Sequence, residues 1–359
     1  MYSHKYLAAD PARGEVTLLS SIASEPPEPP KSVDGRRLDL FETYRQGIRA
    51  YRNTVPLQIY TTHFRQRLTL ATANHGVDGT AVRTIDGVRL TDLFAQTENS
   101  AHLLDDPTPL CLEGPTAVLL EVNGGKNYYH WLMTSLPRLL ALMQRYPRQR
   151  FDHFVVNDTA PAFVLDSLAL LGVPLDAVIS AAKHPVVRVS EAFCSVVSSN
   201  LFYPNQLIVE LFRQILPRPL YRGRRLFISR TGGRSIANEP EVLDVLTSFG
   251  FETIRTERLS LLEQIQLFAS AEVVVGAHGA GFSNLVFCQT GTKVLEFFSP
   301  KFLNVCYWFL SAACRHEYHC LLGYGEDAPL ESDLWRSELA ATITLDCGIL
   351  RRMLEKMNL

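Results

Sequence analysis

Ala271–Phe298 reads A-E-V-V-V-G-A-H-G-A-G-F-S-N-L-V-F-C-Q-T-G-T-K-V-L-E-F-F, and this stretch decides the fold. Glu272–Gly276 reads as a buried strand, with Val273–Val275 as its apolar centre. A glycine-rich turn carrying His278 follows, then a short helix from Gly281, then a second buried strand, Lys293–Phe298. A strand that opens through glycines into a helix start lets the backbone approach an anion closely. It also presents N–H groups that have no intrahelical acceptor. A phosphate-bearing ligand, a nucleotide in the first instance, is the expectation from this segment alone.

The same rhythm extends in both directions. Upstream lie a strand at Arg225–Arg230, a loop with Gly232 and Gly233, and a helix at Glu239–Phe249 stopped by Gly250. A strand at Phe251–Arg255 follows, then a helix at Ser260–Ser270 opened by the capping-box pair Ser260 and Glu263. Downstream come a helix at Asn304–Cys314 and a strand at Glu317–Leu322. Strands alternating with helices at this spacing predict a parallel sheet covered on both faces. Further upstream the pattern is looser. Ala117–Val122 reads as a strand, and Asn127–Gln144 as a helix that Pro137 should kink. Phe154–Asn157, Val186–Ser190 and Ala192–Ser198 read as strands, and Ala162–Leu171 as a helix. A helix at Gln206–Ile215 sits in a proline-containing connection, Tyr203–Gly223. The first hundred residues hold a proline-rich strap at Ser24–Lys31, a short helix at Glu42–Tyr51 and a turn at His75–Gly79.

Bulk properties narrow the partners. At 359 residues the chain is long enough for two cores, and 47% hydrophobic with 20% charged residues is ordinary for a globular protein. A net charge of −2 supplies no global field toward nucleic acid or acidic lipid, so any anion site must be local. No apolar run approaches the roughly 20 residues that span a bilayer. The N-terminus lacks a basic-then-apolar leader pattern, which puts the expected location in the cytoplasm. Seven cysteines, an odd number without a C-x-x-C pair, fit buried free thiols better than a disulfide frame. Cys314, His316, His319 and Cys320 are zinc-capable residue types at a spacing that matches no common zinc motif, and no metal is expected.

In an open parallel sheet, ligands gather at the carboxyl ends of the strands. Arg230 ends one strand and Arg234 follows it, both able to grip a diphosphate through a rigid fork. The N–H groups of Gly279, Ala280 and Gly281 can cradle phosphate oxygens. His278 can donate to one, and Glu296 can accept from a ribose. Each has an ordinary structural explanation on its own, but together on one rim they favour a site. Asn238 reads as an N-cap with Glu239 in the first turn of its helix. His130 follows a Gly-Gly turn at the start of the Asn127 helix. A general base and a core histidine wedged among Tyr128, Tyr129 and Trp131 explain it about equally well; for a base, the helix start would lower its pKa.

The ordered set N-Y-Y-H-W-L-x-x-S-L-P-R-L, I-S-R-x-x-x-R-x-I-x-N-E, L-L-E-Q-I-x-L-F-x-x-A, V-G-A-H-G-A-G-F-S-N-L-V-F and V-L-E-F resembles glycosyltransferase family 61, over roughly Asn123–Leu322. That family is associated with bacterial capsular polysaccharide synthesis and with xylosyl, arabinosyl and N-acetylglucosaminyl transfer in eukaryotes. The resemblance implies an α/β chain with two Rossmann-like domains facing a cleft, a GT-B-like arrangement. It implies inverting transfer from a nucleotide-sugar, UDP-linked, to a hydroxyl of a glycan or other acceptor, with no metal or other cofactor. His130 would then be the base. Arg230, Arg234, His278, Gly279, Ala280, Gly281, Asn284 and Glu296 would bind the donor, with Asn127, Asn238 and Glu239 shaping the site. Residues 1–215 would form the acceptor-side domain and 216–330 the donor domain. The helical segment 331–359 would pack back across the junction. No nucleic-acid partner is expected, and peripheral membrane association is compatible with the family. Two rivals stand beside this reading. A nucleotide-dependent oxidoreductase or epimerase needs its G-x-G-x-x-G turn after the first strand, whereas G-A-H-G-A-G follows a middle one. The other rival is a non-catalytic scaffold of the same fold.

Overall fold

The computed structural model describes residues 3–22, 30, 57–72, 80–90, 98–121, 124–197, 204–214, 222–299, 302–324 and 342–359. The proline-rich strap (Pro30 apart), the Glu42–Tyr51 helix, the His75–Gly79 turn and both expected domain boundaries, 215/216 and 330/331, lie outside them. The chain divides into two compact units.

The first unit is built on β1 (Gly14–Ile22), β2 (Leu57–Phe64), β3 (Leu68–Thr72), β4 (Thr80–Thr84), β5 (Arg89–Leu90), β6 (Leu110–Val118), β7 (His153–Val156), β8 (Val178–Ser180) and β9 (Val186–Val197). Their order is β5-β4-β3-β9-β6-β7-β8, with β2 joining β9 and carrying β1. β6, β7, β8 and β9 run parallel, and β1 to β5 attach antiparallel. The sheet is therefore mixed rather than wholly Rossmann-like. Two strands expected at Val186–Ser190 and Ala192–Ser198 are one. Ser190 and Glu191 read as a break because β6 bulges opposite them. The bulge lies between Leu112 and Pro115, with Gly114 at φ 93° and its N–H donating to Ser190 Oγ at 2.9 Å. Helix α1 (Ser3–Ala8) supplies Tyr6 and Leu7 to the core, where they meet Phe64, Leu68, Val118 and Val187.

The Asn127 helix is composite. A single turn, Tyr128–His130, capped by Asn127 Oδ1 on Tyr129 N–H at 2.9 Å, passes into a π-turn at Trp131–Ser135 and then α2 (Leu136–Arg145). Pro137 sits in the first turn of α2. The expected proline kink is thus taken up by a π-turn, in which Leu136 N–H reaches back five residues to Trp131 O. Helix α3 (Ala162–Leu170) packs nearby, its Ser167 Oγ accepting from Trp131 Nε1 at 2.8 Å. Beneath α2 lies a buried ion pair. Arg138 is bonded to Glu121 and to the Ser195 carbonyl, and Ser195 Oγ donates to Arg138 O at 2.9 Å.

The second unit takes in part of helix α4 (Gln206–Arg213), and its five parallel strands are β10 (Arg224–Ile228), β11 (Glu252–Ile254), β12 (Ala271–Ala277), β13 (Lys293–Phe298) and β14 (Glu317–Leu322). Their order is β11-β10-β12-β13-β14. Helix α5 (Glu239–Ser248) and the C-terminal α8 (Cys347–Lys356) cover one face. There Val242, Val245, Leu350 and Met353 pack on Phe227, Val273, Val275 and Leu295. Of the segment 331–359 expected to return across the junction, the described residues 342–359 carry α8, which packs on α5. Helix α6 (Leu261–Ala269), a 3₁₀ helix at Ala280–Phe287 and α7 (Cys306–Cys314) complete the unit. The capping box forms as read, with Ser260 N–H donating to Glu263 Oε2 at 2.8 Å and Glu263 N–H to Ser260 Oγ at 3.3 Å. All seven cysteines are free thiols. Among the described residues, no helix is long and apolar enough to cross a membrane, and no three His, Cys, Asp or Glu side chains converge as metal ligands.

Breaking the Glu121–Arg138 pair on one side strands a buried charge. Arg138→Ala should cost about 3–5 kcal/mol, while Glu121→Leu with Arg138→Met should lie much nearer wild type. Urea unfolding of the first unit measures both.

Candidate functional site

The order β11-β10-β12 means the chain leaves β10 toward one edge of the sheet and leaves β12 toward the other. The loops after β10 and β12 therefore part and leave a crevice at the carboxyl ends of these strands. The sequence-predicted cations meet there. Arg230 Nη1 donates to the His278 carbonyl at 2.7 Å, joining the two loops. Arg234 lies close enough to pull the Arg230 pKa down, second to burial, and burial also pulls Arg234 down. Both guanidiniums stay charged at neutral pH. Neither has a carboxylate within salt-bridge distance among the described residues, and the buried Nε of each has no hydrogen-bond acceptor. The Arg234 guanidinium lies 5.0 Å from the Phe302 ring centroid.

The arginine loop is held under strain. Arg234 sits at φ 62°, a left-handed conformation that costs a non-glycine residue about 1–3 kcal/mol. The strain is held by a clamp from the C-terminal segment. Ile343 N–H donates to Ser235 O at 2.9 Å, Ala237 N–H donates to Ile343 O at 2.8 Å, and Asn238 exchanges two bonds with the Leu345 backbone. Asn238 thus makes no side-chain cap on α5, because its amide is spent on this clamp. Glu239 ties the start of α5 to the end of β10 by accepting from Ser229 Oγ at 2.7 Å.

The glycines of the β12 turn are required by close approach. A Cβ on Gly276 would lie 2.9 Å from Ile228 O, one on Gly281 2.9 Å from Thr256 Oγ1, and one on Gly279 2.0 Å from Arg230 Nη1. Gly279 precedes the 3₁₀ helix that Ala280 opens, so the first N–H groups of that helix face the same crevice rim. Asn284 is fully buried; its Nδ2 donates to Gln264 Oε1 at 2.7 Å and Gly281 O at 3.0 Å. It braces the turn from behind instead of reaching a ligand.

Glu296 corrects the sequence reading. It has no exposed surface, and both its oxygens are engaged: His278 Nδ1–H donates to Oε1 at 2.5 Å and Tyr318 O–H to Oε2 at 2.5 Å. A ribose cannot reach it. Burial holds the Tyr318 phenol well above its ordinary value, so it keeps the proton it donates. The carboxylate fixes the His278 ring with Nδ1 inward and Nε2 as the nitrogen left for a ligand. Phe298, Phe302 and Tyr307 pack around that ring at centroid distances of 5.1–5.5 Å.

His130 belongs to the first unit, at the end of the capped turn and directly before the π-turn. Burial is the main cause of a pKa below the ordinary imidazole value, opposed by the negative charge of Glu121. The lowering expected from the helix start is thus supplied chiefly by burial. The Gly124–Gly125 turn before it is pressed on Ser135 and Asn157–Asp158, with a Cβ on Gly124 only 2.3 Å from Ser135 Oγ.

Tyr318, Phe302, Tyr307, Thr256, Glu121 and the 343–345 clamp escaped the sequence reading. None carries a motif, and each reaches its partner only through sheet pairing or through packing against loops distant in sequence.

Residues 128–295 match the family model described as Glycosyltransferase 61. Among curated proteins, the chain is 26% identical over 209 residues to the β-1,2-xylosyltransferase XAX1 of Oryza sativa subsp. japonica, covering 56% of this chain and 35% of that protein. It is 32% identical over 82 residues to the xylan glycosyltransferase MUCI21 of Arabidopsis thaliana, covering 22% and 17% respectively. The chain therefore spans about a third or less of the length of these relatives. A solved structure, E. coli heptosyltransferase WaaC with ADP, aligns over 68% of this chain and 99% of its own with a TM-score of 0.33 and 12% identity, too distant a likeness to place residues of one on the other.

Gly279→Ala should push the Arg230 guanidinium off the turn. The clash is with the tip of a flexible side chain, so the unfolding midpoint should stay within about 1 kcal/mol of wild type, while affinity for inorganic pyrophosphate falls about tenfold or more by isothermal titration.

Proposed function

The chain belongs to glycosyltransferase family 61, and from that membership we propose that it is an inverting transferase moving a sugar from a UDP-linked donor to a hydroxyl of a glycan. One observation carries the reading: two half-buried arginines with no carboxylate in salt-bridge range among the described residues, held over a glycine turn at the switch point of a parallel sheet. Burying a cation is costly unless an anion compensates it, and a diphosphate supplies that compensation.

The reaction follows from charge. The acceptor oxygen attacks the anomeric carbon as the bond from that carbon to the diphosphate breaks. The leaving group keeps the electron pair, and the acceptor proton passes to a base. Negative charge grows on the diphosphate in the transition state, so cations already fixed there lower the barrier without reorganising. Arg230, Arg234, the Nε2 side of His278 and the amides of Gly279–Gly281 supply that stabilisation, the role a divalent metal fills elsewhere. His130 is the proposed base; burial favours its neutral, proton-accepting form.

Four outcomes test this. Arg230→Ala should lower kcat/KM for transfer by about 10²–10³-fold with an unchanged circular-dichroism spectrum. Turnover should persist in excess EDTA; activity abolished by the chelator and restored by Mg²⁺ would contradict the metal-free reading. A base must be unprotonated to act, so kcat/KM should rise with pH to a plateau. Because burial lowers the His130 pKa, the midpoint of that rise should lie below the ordinary imidazole value of about 6.5. His130→Ala should remove this acid limb and cost about 10²–10⁴-fold in rate.

A further inference from the structure

His278 can act on an anion in some protonation states and not in others, and two buried residues select among them. Its Nδ1 lies 2.5 Å from Glu296 Oε1, and Glu296 has no exposed surface. Three placements of the protons fit this contact. In the first, Nδ1–H donates to a carboxylate and Nε2 keeps a lone pair. Such a ring meets a phosphate oxygen lone pair to lone pair and repels it. In the second, with one proton more, the ring is an imidazolium and both nitrogens carry N–H groups. In the third, the extra proton sits on Glu296, which donates to Nδ1, and the ring is neutral with Nε2–H. Of the three, the second brings a full positive charge to the crevice.

Tyr318 decides between the last two. Its O–H donates to Glu296 Oε2 at 2.5 Å, and burial above all holds the phenol well above its ordinary value, so it stays a donor. A donor on Oε2 favours the ionised carboxylate over the acid. Arg234 favours it too, since the charge of Glu296 reaches that guanidinium. The remaining titratable groups packed here bring no second negative charge at neutral pH. They are the Tyr307 phenol, which burial also holds well up, the Cys306 and Cys320 thiols in electrostatic reach of Tyr318, and Arg230 on the His278 carbonyl. An ionised Glu296 in contact with the ring in turn favours the charged imidazole.

We propose that Glu296 and Tyr318 are positioning residues that hold His278 as an imidazolium against the diphosphate, a third cation beside Arg230 and Arg234. The proposal rests on the diphosphate reading of the β12 turn. It also gives binding a sign with pH. The contribution of His278 is complete while the His278–Glu296 pair holds the extra proton, and it is lost as rising pH removes that proton.

Isothermal titration of the full chain with inorganic pyrophosphate at several pH values tests it, on wild type, His278→Asn, Glu296→Gln and Tyr318→Phe. The unfolding midpoint of each variant checks the fold. Pyrophosphate ionises identically in all four titrations, so the ratio of wild-type to variant affinity isolates the proton held by the protein. At neutral pH, wild type should outbind His278→Asn about tenfold or more. Glutamine at 296 can still accept from Nδ1–H and orient the ring, but it carries no charge. Glu296→Gln should therefore bind no better than His278→Asn, and Tyr318→Phe should lose about threefold or more. The ¹⁵N resonances of the His278 ring in the wild-type complex should be those of a ring protonated on both nitrogens. The proposal is overturned if only one ring nitrogen carries a proton in that complex, if Glu296→Gln or Tyr318→Phe keeps wild-type affinity, or if the advantage of wild type over His278→Asn grows as pH rises. Should Glu296→Gln not fold, the ring resonances and Tyr318→Phe still decide. Failure of wild type to bind pyrophosphate at any pH overturns instead the diphosphate reading beneath the proposal.

Discussion

Two like charges are kept close together after the end of β10, half out of water and, among the described residues, without a carboxylate in salt-bridge range. Left to themselves, Arg230 and Arg234 would separate and seek solvent or an acid, since mutual repulsion and desolvation both penalise the arrangement. The surrounding structure serves to prevent that. The His278 carbonyl takes one guanidinium, the Phe302 ring faces the other, and the backbone between them is fastened at a left-handed residue. A fold that holds repelling cations in place has done, before any ligand arrives, the electrostatic work that the proposed leaving diphosphate would require.

The fastening comes from two directions. From below, the Gly276–Gly281 turn allows the β12 loop to lie directly against Ile228, Arg230 and Thr256, and a side chain at Gly279 would displace Arg230 from it. From the side, residues 343–345 run beside Ser235–Asn238 as a short extra ladder and connect to α8, whose apolar face is part of the core. The C-terminal helix therefore stabilises the site through the loop it anchors, without itself approaching the crevice rim in sequence or in topology.

The His278–Glu296–Tyr318 chain gives Glu296 a role that its place in the sequence does not announce. Glu296 lies within β13, near the strand's carboxyl end. Its side chain points inward, and its two oxygens orient a histidine instead of a ribose. Asn238 and Asn284 are similar cases: both stand at the site, and both spend their amides on the protein's own backbone and side chains.

Local signals settled much of the second unit. Its five strands, the capping box on α6 and the glycine turn are written in apolar runs and spacings of 2 to 4 residues, and the structure reproduces them to within a residue or two. The first unit was less legible because its order depends on which strands pair. A β-bulge looked like a break, β1 and β2 lie about 35 residues apart, and the π-turn after His130 leaves no mark beyond Pro137. So the sequence by itself determined the α/β class, the βαβ run and the residue types of an anion site, since these arise from short-range periodicity and from what each side chain can do. Tertiary structure alone decided that Arg230 meets His278, that Tyr318 completes Glu296 and that the tail clamps the arginine loop. Those contacts join residues 22 to 107 positions apart, and only sheet order and close packing bring them together.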